Sequence, residues 1–136
     1  MNRSILIAYQ LLIGLSDTLT GALLLVAPEL ALRLMRLHAP ADALPFVSFI
    51  GAFVFSVGLA CLYGAFVIVR RRNACKLEVI WLLTAITRAS VAIFVVTQIL
   101  ARGLEAGWIA VALFDGACSL IQAIGLRKGW SACVAW

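Results

Sequence analysis

The chain has 136 residues, of which 65% are hydrophobic and 12% are charged. Together with a mean hydropathy of +1.11, this composition excludes an ordinary soluble globular domain and predicts a membrane protein. The formal net charge of +5 does not indicate a nucleic-acid partner, because most lysines and arginines flank apolar runs, where membrane lipids and topology explain them.

Four apolar runs are long enough to cross the ~30 Å hydrocarbon core of a membrane, for which a helix needs about 20 residues. We place these helices at about 4–26, 45–69, 77–100 and 108–126. Their short connections leave no room for a separate soluble domain. The predicted fold class is therefore all-α: one domain over 1–136, an integral membrane bundle of four transmembrane helices with a short amphipathic interfacial helix between the first two.

The first predicted helix, 4–26, starts like a signal peptide, but its length and its polar residues predict a helix that is retained. Four of its residues share one stripe at i, i+4 and i+7 spacing: Gln10, Gly14, Asp17 and Gly21. This face is expected to point into the bundle. The leucines assigned to the opposite face are expected to meet lipid: Leu6, Leu12, Leu19 and Leu23.

The segment 29–38, ELALRLMRLH, follows Pro28 and is too short and too charged to span a membrane. Its charged residues and its leucines fall on different faces, which predicts an amphipathic helix lying in the membrane interface. We assign Arg33, Arg36 and His38 as its interfacial residues. A connecting helix that closes one end of the bundle is the favoured interpretation, and recognition of lipid or of a partner is the alternative.

Small residues form a predicted helix-packing groove along the second spanning helix, 45–69. Four of them recur every four residues and two glycines widen the groove: Ala52, Ser56, Ala60 and Gly64, with Gly51 and Gly58. This pattern is typical of close helix contact within membranes. The alternative interpretation is a groove for a lipid tail or an apolar cofactor.

The third and fourth predicted helices are also polar on one side. Trp81, Thr84 and Arg88 share a face of the third helix. Asp115, Ser119 and Gln122 share a face of the fourth at i, i+4 and i+7 spacing. Both faces are therefore expected to point inward.

One basic and two acidic residues lie near the middle of predicted spans. A charge at the centre of a transmembrane helix costs about 2.5–3.5 kcal/mol, so pairing is expected. We predict a buried ion network of Asp17, Arg88 and Asp115. It either fixes how the helices face each other or forms a proton or ion relay, or a polar site for a headgroup or a quinone-like ligand.

Residues typical of catalysis and metal binding are sparse. His38 is the only histidine, and the chain has no Gly-rich phosphate loop and no nucleophile elbow. We predict no catalytic residue, no metal site and no cofactor of its own, although lipid, quinone or pigment could bind. The four cysteines have no CxxC spacing and are interpreted as buried apolar residues or reduced thiols: Cys61, Cys75, Cys118 and Cys133.

The distribution of basic residues predicts the orientation in the membrane. Three lie on the outer side in this topology: Arg33, Arg36 and Arg102. Seven lie at the amino terminus, in the loop between the second and third helices, and in the tail: Arg3, Arg70, Arg71, Arg72, Lys76, Arg127 and Lys128. Because basic loops stay inside, both termini are expected to be cytoplasmic, in an inner (cell) membrane.

Three stretches carry a family resemblance: GLSDTLTGALLLVAPELALRLMRL, IGAFVFSVGLACLYG and TAITRAS. In this order they supply a polar first span, a Pro-started amphipathic segment, a Gly-rich second span and an arginine in the third. The chain resembles the DoxX-like small four-helix membrane proteins. The resemblance implies an association with quinone-linked oxidoreductase complexes, and Arg88 is the position that it carries over.

The chain has helix-packing faces and no predicted catalytic residue. This combination favours a non-catalytic accessory or structural subunit of a larger membrane complex. An energy-converting complex, respiratory or photosynthetic, is one candidate. The alternative is a small carrier or a quinone-linked, redox-coupled membrane protein that uses a midplane site of Asp17, Arg88 and Asp115. The expected partners are membrane lipids and other integral membrane subunits, or a second copy of the chain.

Overall fold

The structure is a computed structural model that describes residues 2–70 and 74–130. Within these residues the fold is all-helical and contains no strand, as predicted. Five α-helices follow one another: α1 Arg3–Val26, α2 Pro28–Leu34, α3 Leu44–Val69, α4 Ala74–Leu100 and α5 Ile109–Arg127. Short 3-10 turns precede α3 and α5, at Ala41–Ala43 and Ala106–Trp108.

In the described part of the chain, four helices are long and apolar enough to cross a membrane: α1, α3, α4 and α5. Their ends fall within three residues of the predicted bounds. All four carry large hydrophobic side chains that are exposed, which is typical of helices that face lipid. The fold is therefore compatible with a membrane location.

The chain divides into two compact units, one of Ser4–Phe66 and one of Met1–Arg3 with Val67–Trp136. The first holds most of α1, α2 and most of α3, and the second holds α4 and α5. The organisation of 1–136 as one membrane domain stays a prediction.

Glycines bring α1 and α3 close together within the Ser4–Phe66 unit. A methyl group added to Gly21 would come closer than 3.0 Å to the backbone of Phe55. The same holds for Gly58 against the backbone of Thr18. The matched positions run in opposite directions along the two helices, so α1 and α3 form an antiparallel pair in which the backbones nearly touch.

The predicted polar stripe of α1 is buried along its length. Gln10, Gly14, Asp17 and Gly21 all belong to the buried face. The expectation for Leu6 was wrong: its side chain is 0% exposed. Leu6 lies one turn before Gln10, which places it on the same stripe.

The helix α2 is shorter than the predicted segment 29–38, because the chain turns after Leu34. Arg36 adopts a left-handed conformation with a φ of 57°. The N–H of Leu37 donates to the carbonyl of Leu32 at 2.9 Å, and the N–H of Arg36 donates to the carbonyl of Arg33 at 3.0 Å. This pair of hydrogen bonds is a Schellman motif, which ends a helix.

The same motif ends α4, and it leads to a prediction on stability. Arg102 has a φ of 59°, and the N–H of Gly103 donates to the carbonyl of Gln98 at 2.8 Å. Side chains other than glycine are strained in this conformation. Arg102→Gly is therefore expected to raise the free energy of unfolding by about 0.5–1 kcal/mol.

Denaturation of the detergent-solubilised protein measures this change. Arg102→Ala is the matched control, since it removes the same charge but keeps a Cβ atom at a positive φ. It should give no gain. An equal gain for the alanine and glycine variants would show that the charge, rather than the backbone strain, limits stability.

Candidate functional site

The polar residues of α4 and α5 face each other in a series of contacts within one unit. The series runs from Arg88 with Asp115, through Ser119 with the main chain of Ala85, to Gln122 with Thr84. As the residue number falls on α4 it rises on α5, because the two helices are antiparallel. The inward-facing stripes predicted for both helices are thus in contact with each other.

The shortest of these contacts is the ion pair of Arg88 and Asp115. The Nη1 atom of Arg88 lies 2.5 Å from the Oδ1 atom of Asp115 and donates a hydrogen bond to it. The side chains are only 3% and 15% exposed. A pair so shielded from solvent gains from a short, charge-assisted hydrogen bond, which offsets part of the cost of burying the two charges.

An aromatic ring adds a further contact to the guanidinium group. The Cζ atom of Arg88 lies 5.6 Å from the centroid of the Phe114 ring, within the range of a cation–π interaction. Phe114 precedes Asp115 on α5, so adjacent residues of one helix contact the same arginine. Sequence reasoning missed this aromatic partner, although its position beside the acidic residue was a signal.

The third member of the predicted network, Asp17, lies on the buried face of α1 in the Ser4–Phe66 unit. Its side chain is almost completely buried, as expected for a residue of the polar stripe. The structure therefore pairs Arg88 with Asp115. The grouping of Asp17 with this pair stays a prediction.

A second inter-helix hydrogen bond joins two buried polar side chains. The Nε2 atom of Gln122 donates to the Oγ1 atom of Thr84 at 2.9 Å. The hydroxyl of Thr84 in turn donates to the carbonyl of Ile80 at 2.7 Å. Thr84 thus accepts from α5 and donates within its own helix, so its orientation is fixed from both sides.

Two buried amides keep unused hydrogen-bonding capacity among the described residues. The Oε1 atom of Gln122 has no hydrogen-bond partner, and neither the Nε2 nor the Oε1 atom of Gln10 has one. A buried polar group without a partner costs free energy. These two amides could therefore form a further hydrogen bond.

The residues of the predicted groove on α3 have different environments. Gly51 and Gly58 pack against α1, and Gly64 is also buried. Ala52 and Ala60 are partly exposed, whereas Ser56 is exposed and its hydroxyl donates to the carbonyl of Ala52 at 2.8 Å. Among the groove residues, close contact with α1 thus involves the two glycines that were expected to widen the groove.

The predicted interfacial residues Arg33, Arg36 and His38 are all exposed. The Nη2 atom of Arg33 lies 2.8 Å from the Oε1 atom of Glu29, one turn earlier in α2. This ion pair is open to solvent, in contrast to the pair of Arg88 and Asp115. Its contribution to stability is expected to be small.

The cysteines and the basic loop fall partly outside the described residues. Cys61 and Cys118 are buried, and Cys75 is exposed. Cys133, Arg71 and Arg72 lie outside the residues that the structure describes. Within residues 2–70 and 74–130, no group of three or more His, Cys, Asp or Glu side chains is arranged to hold a metal ion.

The chain was compared with protein families, curated proteins and solved structures. No family model, no curated protein and no solved structure matches the chain.

Proposed function

We propose that the chain is an integral membrane protein and a non-catalytic accessory or structural subunit of a larger membrane complex. Four helices of sufficient length and hydropathy support the membrane location. In a membrane, exposed apolar faces meet lipid or the helices of other subunits. Each of the four helices has such a face, represented by Leu12, Phe46, Leu83 and Leu113.

One observation carries the subunit role: the polar side chains of α4 and α5 are engaged with each other. Arg88 binds Asp115, and Gln122 binds Thr84. Ser119 binds a carbonyl of the neighbouring helix. Groups used in this way hold two helices in register, which suits a structural role better than turnover of a substrate.

The proposal extends to topology and to the kind of complex. The excess of lysine and arginine at the amino terminus, in the loop after α3 and in the tail supports cytoplasmic termini in an inner (cell) membrane. α2 is then an interfacial helix on the outer side. The resemblance to DoxX-like proteins, which rests on sequence motifs, supports a quinone-linked, energy-converting complex. Lipid, quinone or pigment are the small molecules that the chain would bind there.

Photo-crosslinking in native membranes tests the subunit role. A diazirine amino acid of about leucine size replaces one exposed residue on each of the four helices: Leu12, Phe46, Leu83 and Leu113. We expect at least one position to capture another integral membrane protein, which also migrates with the chain on a native gel in mild detergent. Mass spectrometry then identifies the complex.

A buried neighbour provides the matched control. Ile13 follows Leu12 but belongs to the buried face of α1, so the same amino acid there should crosslink only within the chain. The subunit role is wrong if every exposed position captures lipid alone and the chain migrates as a monomer. Capture of a second copy alone, at dimer size, would replace it with self-association.

A second candidate function is a small carrier or a quinone-linked, redox-coupled protein. The buried pair of Arg88 and Asp115 favours it, because ionisable residues within membrane spans are functional candidates. Its site would be Asp17, Arg88 and Asp115, as predicted from the sequence. Full host activity of the combined variant Arg88→Leu, Asp17→Asn and Asp115→Asn would rule this function out.

A further inference from the structure

A cavity of about 250 Å³ lies where α2 turns toward α3. Its lining joins charged and polar groups with aliphatic ones: Glu29, Arg33 and His38 with Leu32, Leu37 and Leu44. All of these residues belong to the Ser4–Phe66 unit. The volume is below the ~300 Å³ at which typical ligand pockets begin, so the cavity suits a small polar group rather than a whole lipid.

The turn at the end of α2 explains why these residues line one cavity. The left-handed conformation of Arg36 reverses the chain, so that Leu37 returns to the level of Leu32 and its N–H bonds the Leu32 carbonyl. Both leucine side chains are buried. The lining of the cavity therefore includes two buried apolar side chains held by the main chain of the turn.

The charged residues of the lining are exposed to solvent. The side chains of Arg33 and Glu29 are 74% and 67% exposed, and their charged atoms lie 2.8 Å apart. An exposed ion pair of this kind is weak, so either partner can exchange its contact for a ligand of opposite charge. The cavity thus offers a cationic group and an anionic group side by side.

The position along the chain places the cavity at the membrane surface. α1 ends at Val26 and α3 begins at Leu44, so the cavity lies where two spanning helices end. Val26 and Phe46, close to these ends, expose large apolar side chains. This step rests on the membrane location proposed above, which puts the cavity at the level of lipid headgroups.

We propose that this cavity binds the phosphoethanolamine headgroup of a membrane lipid. The guanidinium of Arg33 binds phosphate through parallel hydrogen bonds, and the carboxylate of Glu29 accepts hydrogen bonds from the primary ammonium. A choline headgroup lacks N–H donors, and a glycerol headgroup lacks the positive charge. The paired charges therefore select ethanolamine over both.

Native mass spectrometry of the purified full chain in detergent tests this proposal. The chain is offered phosphatidylethanolamine, phosphatidylcholine and phosphatidylglycerol with identical acyl chains. We expect about fivefold tighter binding of the ethanolamine lipid than of the other two, the net contribution of one typical hydrogen bond. Glu29→Gln should remove the preference over choline, and Arg33→Gln should weaken binding of the ethanolamine lipid about tenfold.

Arg36→Gln is the matched control. It removes the same charge three residues away, but Arg36 does not line the cavity, so the preference should persist. Equal effects of Arg36→Gln and Arg33→Gln, or stronger binding of the glycerol lipid, would overturn the proposal in favour of general attraction to anionic surfaces. Soluble phosphoethanolamine that displaces the lipid at equal concentration would also overturn it, because the ligand would then be a free metabolite.

The outcomes for the lipid and for the subunit role are separable. Lipid binding is measured on the isolated chain, whereas the subunit role is measured by captured proteins. An ethanolamine preference without any protein partner would support the lipid site and reject the subunit role. Captured protein partners without an ethanolamine preference would support the subunit role and reject the lipid site.

Discussion

Gly21→Ala is expected to lower the free energy of unfolding by about 2–3 kcal/mol, toward the upper end of the range for overpacking. The added methyl group would meet the backbone nitrogen and Cα atom of Phe55 closer than 3.0 Å. Backbone atoms cannot swing aside as a flexible side chain can. The helices α1 and α3 must therefore separate, which loosens the contacts along their shared face.

Denaturant titration of the protein in mixed micelles measures this loss, and another glycine provides the control. A Cβ atom added to Gly116 on α5 would meet only the Cβ atom of Ala92, at 3.9 Å, which is an ordinary contact. Gly116→Ala should therefore be neutral or stabilising by up to about 1 kcal/mol, because alanine favours a helix. If Gly21→Ala lowers the free energy of unfolding no more than Gly116→Ala does, α1 and α3 do not pack as closely as described.

The helical fold could be predicted from the sequence because long apolar runs leave few alternatives. Backbone groups without water must bond within their own segment, so each run becomes a helix. The end of α2 could not be predicted in the same way. Arg36 occupies a left-handed position where glycine is usual, so no residue type marked the turn after Leu34.

Residue type also misled the assignment of faces on α1. Leu6 was grouped with the lipid-facing leucines because it is a leucine, although its spacing from Gln10 and Gly14 places it on the buried stripe. Gly51 and Gly58 were predicted only to widen the groove on α3, yet they are the groove residues that lie closest to α1. A four-residue repeat drifts around a helix of 3.6 residues per turn, whereas the seven-residue spacing of these glycines returns to nearly the same face.

The candidate site could be predicted in part. Depth along the helices and opposite charge suggested that Arg88 and Asp115 would meet. The bond from Ser119 to the carbonyl of Ala85 had no such signal, because every residue carries a carbonyl and none is marked as an acceptor. Residue types can therefore indicate that two side chains pair, but they cannot indicate that a side chain pairs with the main chain.

Arg88→Ala is expected to lower the free energy of unfolding by about 3–5 kcal/mol, the usual effect of breaking a buried ion pair. The loss comes from stranding Asp115, which is 15% exposed and would keep an uncompensated negative charge between α4 and α5. The contact of the guanidinium with Phe114 disappears as well. Unfolding in mixed micelles, followed by circular dichroism, measures the change.

The double variant Arg88→Leu with Asp115→Leu decides whether the loss is electrostatic. It removes both charges and keeps apolar volume, so it should be within about 2 kcal/mol of the native protein and more stable than Arg88→Ala. Together with the single variants Arg88→Leu and Asp115→Leu, the double variant completes a double-mutant cycle, which isolates the coupling energy of the two residues.

The exposed ion pair of Arg33 and Glu29, whose charged atoms lie 2.8 Å apart, supplies the matched comparison. Arg33→Ala removes this pair and should lower the free energy of unfolding by only about 0–1 kcal/mol. Equal losses for the double variant and Arg88→Ala would show that the shape of the arginine, rather than its charge, holds α4 against α5. Register would then depend on the remaining bonds of the series, those of Gln122 and Ser119. If the double variant recovers, pairing of the two charges is what aligns the two helices.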